Sequence, residues 1–231
     1  MSARELRASF SLASIFGLRL FGMFIILPVF ALYAERLPGW NLTLVGIALG
    51  AYGLTQAMLQ IPFGWVSDRL GRKPVMVGGL LVFAVGSAIC ALAVEPWAVI
   101  LGRTVQGAGA ISGVAIAMAG DLTRPSQRTK AMAIIGSTIG LAFAGSFVAA
   151  PSLRNAVGVP GIFALTGVLA LAAIAVVLWV VPDPPPRRHG EARVPFAEVL
   201  RNPELARLNV GIFALHAVLM ALFIVVPLSL V

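Results

Sequence analysis

The chain has 231 residues, of which 59% are hydrophobic, 17 are Lys or Arg and nine are Asp or Glu, and its mean hydropathy is +0.97. So much apolar surface excludes an ordinary water-soluble globule, whose exterior must face water. The single Cys90 excludes a disulfide framework, and the net charge of +8 is explained by where the charges fall rather than by nucleic acid.

A short basic start, Met1 to Arg7, leads into an apolar run from Ala8 to Ala34 that only Arg19 interrupts. At 27 residues the run is too long for a signal-peptide core, so it reads as a retained transmembrane helix, kinked at Pro28. Glu35 to Asn41 is a loop, with Trp40 suited to a membrane interface. Leu42–Ser67 and Pro74–Val94 are the second and third spans, each longer than the roughly 20 apolar residues a bilayer requires. Glu95 marks a turn. Pro96–Gly120 is the fourth span and holds Arg103; Asp121 to Lys130 is a polar turn; Ala131–Leu153 and Asn155–Pro182 are the fifth and sixth.

The character changes at Asp183. Consecutive prolines and charges over 183–190 favour an extended linker, and Phe196 to Leu205 has the mixed pattern of a short surface helix. Asn209–Val231 is a seventh apolar run containing His216, with no polar residues after it, so it reads as an incomplete helix. The organisation expected is an all-α membrane protein: a six-helix domain over residues 1–182, a cytoplasmic linker over 183–205, and a seventh helix over 206–231.

With the N-terminus inside, the inner segments carry thirteen of the basic residues: Arg4, Arg7, Arg69, Arg72, Lys73, Arg124, Arg128, Lys130, Arg187, Arg188, Arg193, Arg201 and Arg207. The outer loops hold Arg36 and Arg154. This asymmetry follows the positive-inside rule and predicts a cytoplasmic N-terminus, with anionic lipids as partners of the basic face.

The turn between the second and third spans has to be tight and basic. Gly71 can adopt the positive φ of such a turn, Pro74 suits the first turn of the next helix, and Gly64 has no side chain to keep another helix away. Asp68 and Arg72 are close enough to pair, and Asp121, at the same membrane face, could reach the cluster. A network of Asp68, Arg72 and Asp121 and simple solvation of topology-setting charges are both open readings.

The pattern of Gly64, Asp68, Arg69, Gly71, Arg72 and Lys73, G-x-x-x-D-R-x-G-R-K, resembles motif A of the major facilitator superfamily. Arg103-Thr104-Val105-Gln106-Gly107 resembles motif B of its proton-linked antiporters, R-x-x-Q-G; a structural arginine bonded to backbone carbonyls is the alternative. Gly136, Gly140, Gly145 and Ala149-Ala150-Pro151 resemble motif C imperfectly, with alanine in place of a glycine, and such small residues also serve close helix packing. Leu18-Arg19, Leu27-Pro28, Gln60-Ile61-Pro62-Phe63-Gly64 and Asp121-Leu122-Thr123-Arg124 resemble the YajR-like bacterial group of the drug:proton antiporter branch, over the first half of that family's architecture.

The resemblance implies a secondary active transporter working by alternating access, with proton-linked efflux of drug-like or metabolite molecules, in a bacterial inner membrane. It places Arg19 and Arg103 towards a central cavity. A charge inside a span costs about 2.5–3.5 kcal/mol on insertion scales, so each needs protein or water around it. Arg19 could contact substrate or pair internally, and His216 could titrate with protons or simply pack. The partners implied are a small-molecule substrate, protons, anionic lipids and the missing C-terminal half, not nucleic acid. No ATP-binding loop, cofactor motif, metal-ligand cluster or nucleophile–base set is visible within the spans, which argues against an enzyme. The competing class is a non-transporting membrane fragment or scaffold.

Overall fold

The computed structural model describes residues 1–34, 39–184 and 202–229, in two compact units, Met1–Pro185 and Pro186–Val231. Arg36, the linker charges Arg187, Arg188, Arg193 and Arg201, and residues 196–201 of the expected surface helix lie outside the described residues.

The first helix, α1 (Ala3–Phe24), starts five residues before the apolar run. Its start is fixed by a capping box: Ser2 Oγ accepts from the Glu5 amide at 3.2 Å, and the Glu5 carboxylate accepts from the Ser2 amide at 2.6 Å. The helix breaks at residues 25–26 and resumes as α2 (Leu27–Ala34). Pro28 is the cause, since it lacks an N–H and its ring clashes with the carbonyl one turn earlier. At the junction Val29 donates to Ile26 at 3.2 Å, a three-residue step in place of the helical four.

The second and third passes are α3 (Leu42–Leu70), capped by Asn41, and α4 (Arg72–Leu92). Gly71 alone separates them, at φ +96°. The helices therefore run closer to the turn than the apolar runs suggested, and Arg72 and Lys73 belong to the first turn of α4. The fourth pass was expected as one helix but is split into α5 (Pro96–Ala108) and α6 (Ser112–Leu122). The small residues Gly107 to Ala110 allow the break: Ala110 and Ile111 donate to carbonyls only two residues back, at 2.9 Å. A side chain at Gly109 would collide with the Gly79 carbonyl and Phe83, so α4 crosses there at backbone contact.

After a single 3₁₀ turn at Pro125–Gln127 comes α7 (Arg128–Trp179), interrupted at Gly158, where φ is +69° and ψ 178°. The reversal stands at Gly158 rather than at Leu153–Asn155, because glycine accepts a positive φ that arginine or asparagine takes only with strain. Neighbours of α1 establish that the chain folds back there. Arg124 meets Glu5 and Phe143 stacks edge-on with Phe24, so the first arm runs parallel to α1. Thr166 donates to the Gly22 carbonyl and Arg7 to that of Val180, so the second arm runs antiparallel.

Five helical stretches among the described residues are long and apolar enough to cross a membrane: Ala3–Phe30, Thr43–Leu70, Arg72–Leu92, Pro96–Leu122 and Pro125–Trp179. The last has 55 residues, about 80 Å if straight against a hydrocarbon core of about 30 Å. Folded at Gly158 it makes two passes, six in all for this unit. In the second unit, α8 (Pro203–Ser229) runs for 27 residues. It takes in Glu204 and Leu205, assigned from sequence to the surface helix.

The six-pass unit buries two apolar clusters. One gathers Leu12, Ile15, Met76, Leu80, Val114, Met118 and Val177; the other gathers Ile25, Phe30, Val45, Val99, Ile162 and Phe163. Between them sits a layer built on Tyr52, Phe83 and Ala170, which also holds the buried Arg19, Ser87, Arg103 and Gln106.

Candidate functional site

Two charged centres stand out, one at an end of the bundle and one in the layer between the apolar clusters. At the end, Arg72 lies between two acids: Nη1 is 2.9 Å from Asp68 and Nε 3.0 Å from Asp121. Arg72 also donates to Ser67 Oγ, and its side chain is nearly buried. The turn at Gly71 makes this possible, because it starts α4 with Arg72 facing back towards the last turn of α3. Lys73 reaches Asp183 at 2.7 Å, just past the end of α7. That contact holds the Asp183 carboxyl below the usual aspartate range, through the hydrogen bond and then the charge of Lys73. Arg69 stacks on Trp65, 3.6 Å from guanidinium carbon to ring centre.

The same end contains a pair that the motif did not indicate. Glu5 is buried, and its carboxylate accepts from the Arg124 backbone amide, Nε and Nη2 at 2.9–3.1 Å. These bonds, first of all those from the side chain, raise the pKa of Arg124 above its ordinary value. Arg4 and Arg7 donate to the carbonyls of Asp183 and Val180. Ion pairs and charge-assisted bonds thus tie the start of α1, the α3–α4 turn, the end of α6 and the end of α7 together. The capping-box spacing of Ser2 and Glu5 was legible in the sequence; the partner 119 residues away was not.

Gly64 differs from expectation. Apart from its chain neighbours and its own helix backbone, no atom of the described residues comes within 4 Å of where its Cβ would stand, so the close approach expected there is not made within this unit. Gly136 and Gly140 are equally open, while a Cβ on Gly145 would touch Phe21 at 3.7 Å.

The second centre joins Arg19 and Arg103, each 1% exposed. They do not line an open cavity but are enclosed by α1, α3, α4 and the α5–α6 break. Arg19 donates to Ser112 Oγ (2.9 Å), Gln56 Oε1 (3.1 Å), the Gly109 carbonyl (3.1 Å) and Tyr52 OH (3.3 Å), and lies over Phe83. The Gly109 acceptor exists because the helix breaks there. Arg103 donates to Gln106 Oε1 at 2.6 Å and sits 4.4 Å from the centre of the Tyr52 ring. Gln106 donates in turn to Ser87 Oγ, which donates to the Phe83 carbonyl.

Tyr52 therefore links the two arginines, one at its hydroxyl and one at its face. Side chains at Gly86, Gly102 and Gly107 would collide with Gln106, Cys90 and Thr55 respectively, so these glycines set the close contacts that hold the layer. Sequence reasoning found Arg19, Arg103, Gln106 and Gly107 but missed Tyr52, Gln56, Ser87 and Ser112. The spacing of Tyr52, Gln56 and Gln60 along one face of α3 was the available signal.

Every acceptor of the two guanidiniums is neutral. Among the described residues no carboxylate forms an ion pair with either, and the buried Nε atoms of both have no hydrogen-bond partner. Gln60 Oε1 is likewise without one. His216 lies in the second unit, exposed on α8, with Nδ1 2.9 Å from the Ile212 carbonyl of its own helix.

Similarity to known proteins follows these features. The chain is 46% identical over 231 residues to the inner membrane transport protein YajR of Escherichia coli, covering 98% of this chain and 51% of that one. It is 37% identical over 131 residues to the multidrug resistance protein MdtH of Yersinia enterocolitica, over 52% of this chain and 33% of MdtH. The chain spans about half the length of the curated relatives it matches along its whole length. Solved structures share the fold at low identity: the POT family transporter PepTSo (TM-score 0.68, 19% identical, 84% of this chain and 41% of that one) and the human organic anion transporter MFSD10 (TM-score 0.66, 19%, 85% and 53%). The sequence family described as Major Facilitator Superfamily matches residues 12–231. The helical passes, the motif turn between α3 and α4, and these similarities agree that the chain belongs to the Major Facilitator Superfamily.

Proposed function

We propose that the chain forms the N-terminal half of a proton-linked exporter of drug-like or metabolite molecules in a bacterial inner membrane, with its N-terminus cytoplasmic. The division into a six-helix domain (1–182), a cytoplasmic linker (183–205) and a seventh helix (206–231) belongs to the same reading, as do protons, anionic lipids and a C-terminal half as partners. In this scheme the ion-paired end faces the cytoplasm, the Arg19–Tyr52–Arg103 layer contributes to a midplane site, and two six-helix halves rock around it.

The observation that carries the reading is the buried polar layer between two apolar clusters. Polar and charged groups enclosed in a membrane protein are costly and mark pathways for solutes or ions. The thirteen-to-two distribution of basic residues supports the orientation, and the names of YajR and MdtH support the membrane and the drug-efflux class.

Everted vesicles test the proposal. Vesicles carrying this chain joined to the second half of a YajR-like relative are energised to build a proton gradient and offered cationic, neutral and anionic dyes. Accumulation of a dye that stops when the gradient is collapsed is the expected result. No accumulation of any dye at normal membrane abundance would overturn it. Vesicles with the 231-residue chain alone give the matching test for a membrane scaffold, which moves nothing.

A further inference from the structure

A guanidinium carries five N–H donors, two on each Nη and one on Nε. The acceptors around Arg19 are shared unevenly among them. Nη2, with two hydrogens, has three oxygens beside it: Gln56 Oε1 at 3.1 Å, the Gly109 carbonyl at 3.1 Å and Tyr52 OH at 3.3 Å. Nη1 has one, Ser112 Oγ at 2.9 Å, and the buried Nε has none. One nitrogen has more acceptors than hydrogens, while the other two have hydrogens to spare.

Gln60 holds an acceptor to match them, because its Oε1 is buried and takes no hydrogen bond. It follows Gln56 by four residues on α3, so the two side chains leave the same face one turn apart, with Cβ atoms about 5–6 Å from each other. Gln60 also borders the part of α6 that Arg19 touches. Its Nε2 is 2.9 Å from where a Cβ on Gly113 would stand, and Gly113 adjoins Ser112.

We propose that Gln60 is a second station for the Arg19 guanidinium, which exchanges Gln56 for Gln60 while Nη1 keeps its bond to Ser112. The exchange replaces one neutral carboxamide by another, so the buried charge is never left without acceptors. The second station is one turn nearer the Arg72 end of α3. A polar link between α1 and α3 that can step by one turn suits helices that shift past each other. The exchange draws on these residues alone; that it accompanies alternating access rests on the transporter reading.

The test is a double-mutant cycle on the melting temperature of the purified 231-residue chain in detergent. It needs neither a gradient nor transport, so its failure is distinct from failure of the export assay. Methionine keeps the length of glutamine without a strong acceptor. Gln60→Met alone should leave the melting temperature unchanged or raised, since the oxygen it removes is buried and unbonded. Gln56→Met alone should lower it by only about 2 °C, because Arg19 moves to Gln60. The double variant loses both stations and should melt at least about 5 °C below the sum of the two single effects. A double variant that fails to fold while both single variants fold agrees with this. Additive effects, or a Gln56→Met protein that does not fold, would overturn the second station.

The same cycle in an Arg19→Met background separates hydrogen bonding from packing. The coupling between residues 56 and 60 should vanish there, and coupling that persists overturns the proposal. If Arg19→Met does not fold, Gln56→Met/Gln60→Glu decides. An acceptor returned at residue 60 should recover the stability lost in Gln56→Met/Gln60→Met, and no recovery overturns the station.

Discussion

The two charged centres handle buried or half-buried cations in opposite ways. At the bundle end, Arg72, Lys73 and Arg124 each have a carboxylate within about 3 Å, and several of the groups remain exposed, Asp183 at 85% and Arg124 at 66%. Where a partner is exposed, as at Asp183 and Arg124, water and salt screen such pairs and keep them weak. Their value lies in connecting several helix ends at once with contacts that can separate at modest cost. In the middle layer Arg19 and Arg103 are enclosed and held by amide, hydroxyl and carbonyl oxygens and by ring faces. Neutral acceptors and ring faces leave these two charges without an ion pair among the described residues. One centre is held by opposite charges, the other by neutral oxygens and aromatic faces.

The sharpest way to break the comparison is to spoil the packing that creates the middle layer. Gly86→Leu drives a side chain into the backbone of Gln106 and Gly102, which cannot yield without separating α4 from α5. Overpacking of cores costs about 1–3 kcal/mol and more where backbone must move, so loss of the monodisperse protein in size-exclusion chromatography is expected. A stable Gly86→Leu protein would mean that the layer tolerates separation.

Next in size is Arg103→Lys in the transporter carrying both halves. Lysine keeps the charge but cannot both bond Gln106 in the same way and lie flat on Tyr52. Transport should fall by about tenfold or more at unchanged membrane abundance; full activity would reduce Arg103 to a general charge requirement.

Asp68→Asn probes the opposite centre and should do less. Arg72 keeps Asp121 and Ser67, so folding survives, while the loss of one partly exposed pair, about 0.5–1 kcal/mol, moves a two-state balance by about two- to fivefold. Cysteine accessibility from the two membrane faces, read alongside transport, measures the shift. Unchanged accessibility would leave this acid as a topology signal.

The smallest effect is that of pH on Lys73–Asp183. The folded carboxyl titrates below its ordinary value of 3.8, so the pair stabilises fully above that value and is lost as the pH falls through the folded pKa. The melting temperature of the wild type should exceed that of Asp183→Asn by a constant small margin at neutral pH, and the margin should shrink as the pH falls below 3.8. A margin that persists there would assign it to something other than charge.

Much of this protein is determined by sequence alone. Continuous uncharged runs of about 20 or more residues point to helices, because a helix satisfies its own backbone groups in lipid while a spanning barrel strand needs only about 9–11 residues. The Asp68–Pro74 turn announces itself by composition, and Gly71 by the positive φ that the turn demands. The helix breaks were hidden, since hydropathy registers what a segment is dissolved in, not whether its hydrogen bonds run unbroken. Pro28 was visible, but the split at Gly107–Ile111 depends on α4 pressing against Gly109. The reversal at Gly158 was placed a few residues early because Arg154 and Asn155 are polar while the geometry required glycine. Long-range partners were equally invisible: nothing near Glu5 names Arg124, and nothing near Arg19 names Gly109 or Ser112. Those pairings are decided by tertiary structure, because a side chain's charge is a property of its sequence position whereas the group that answers it is whatever the packed helices bring within 3 Å.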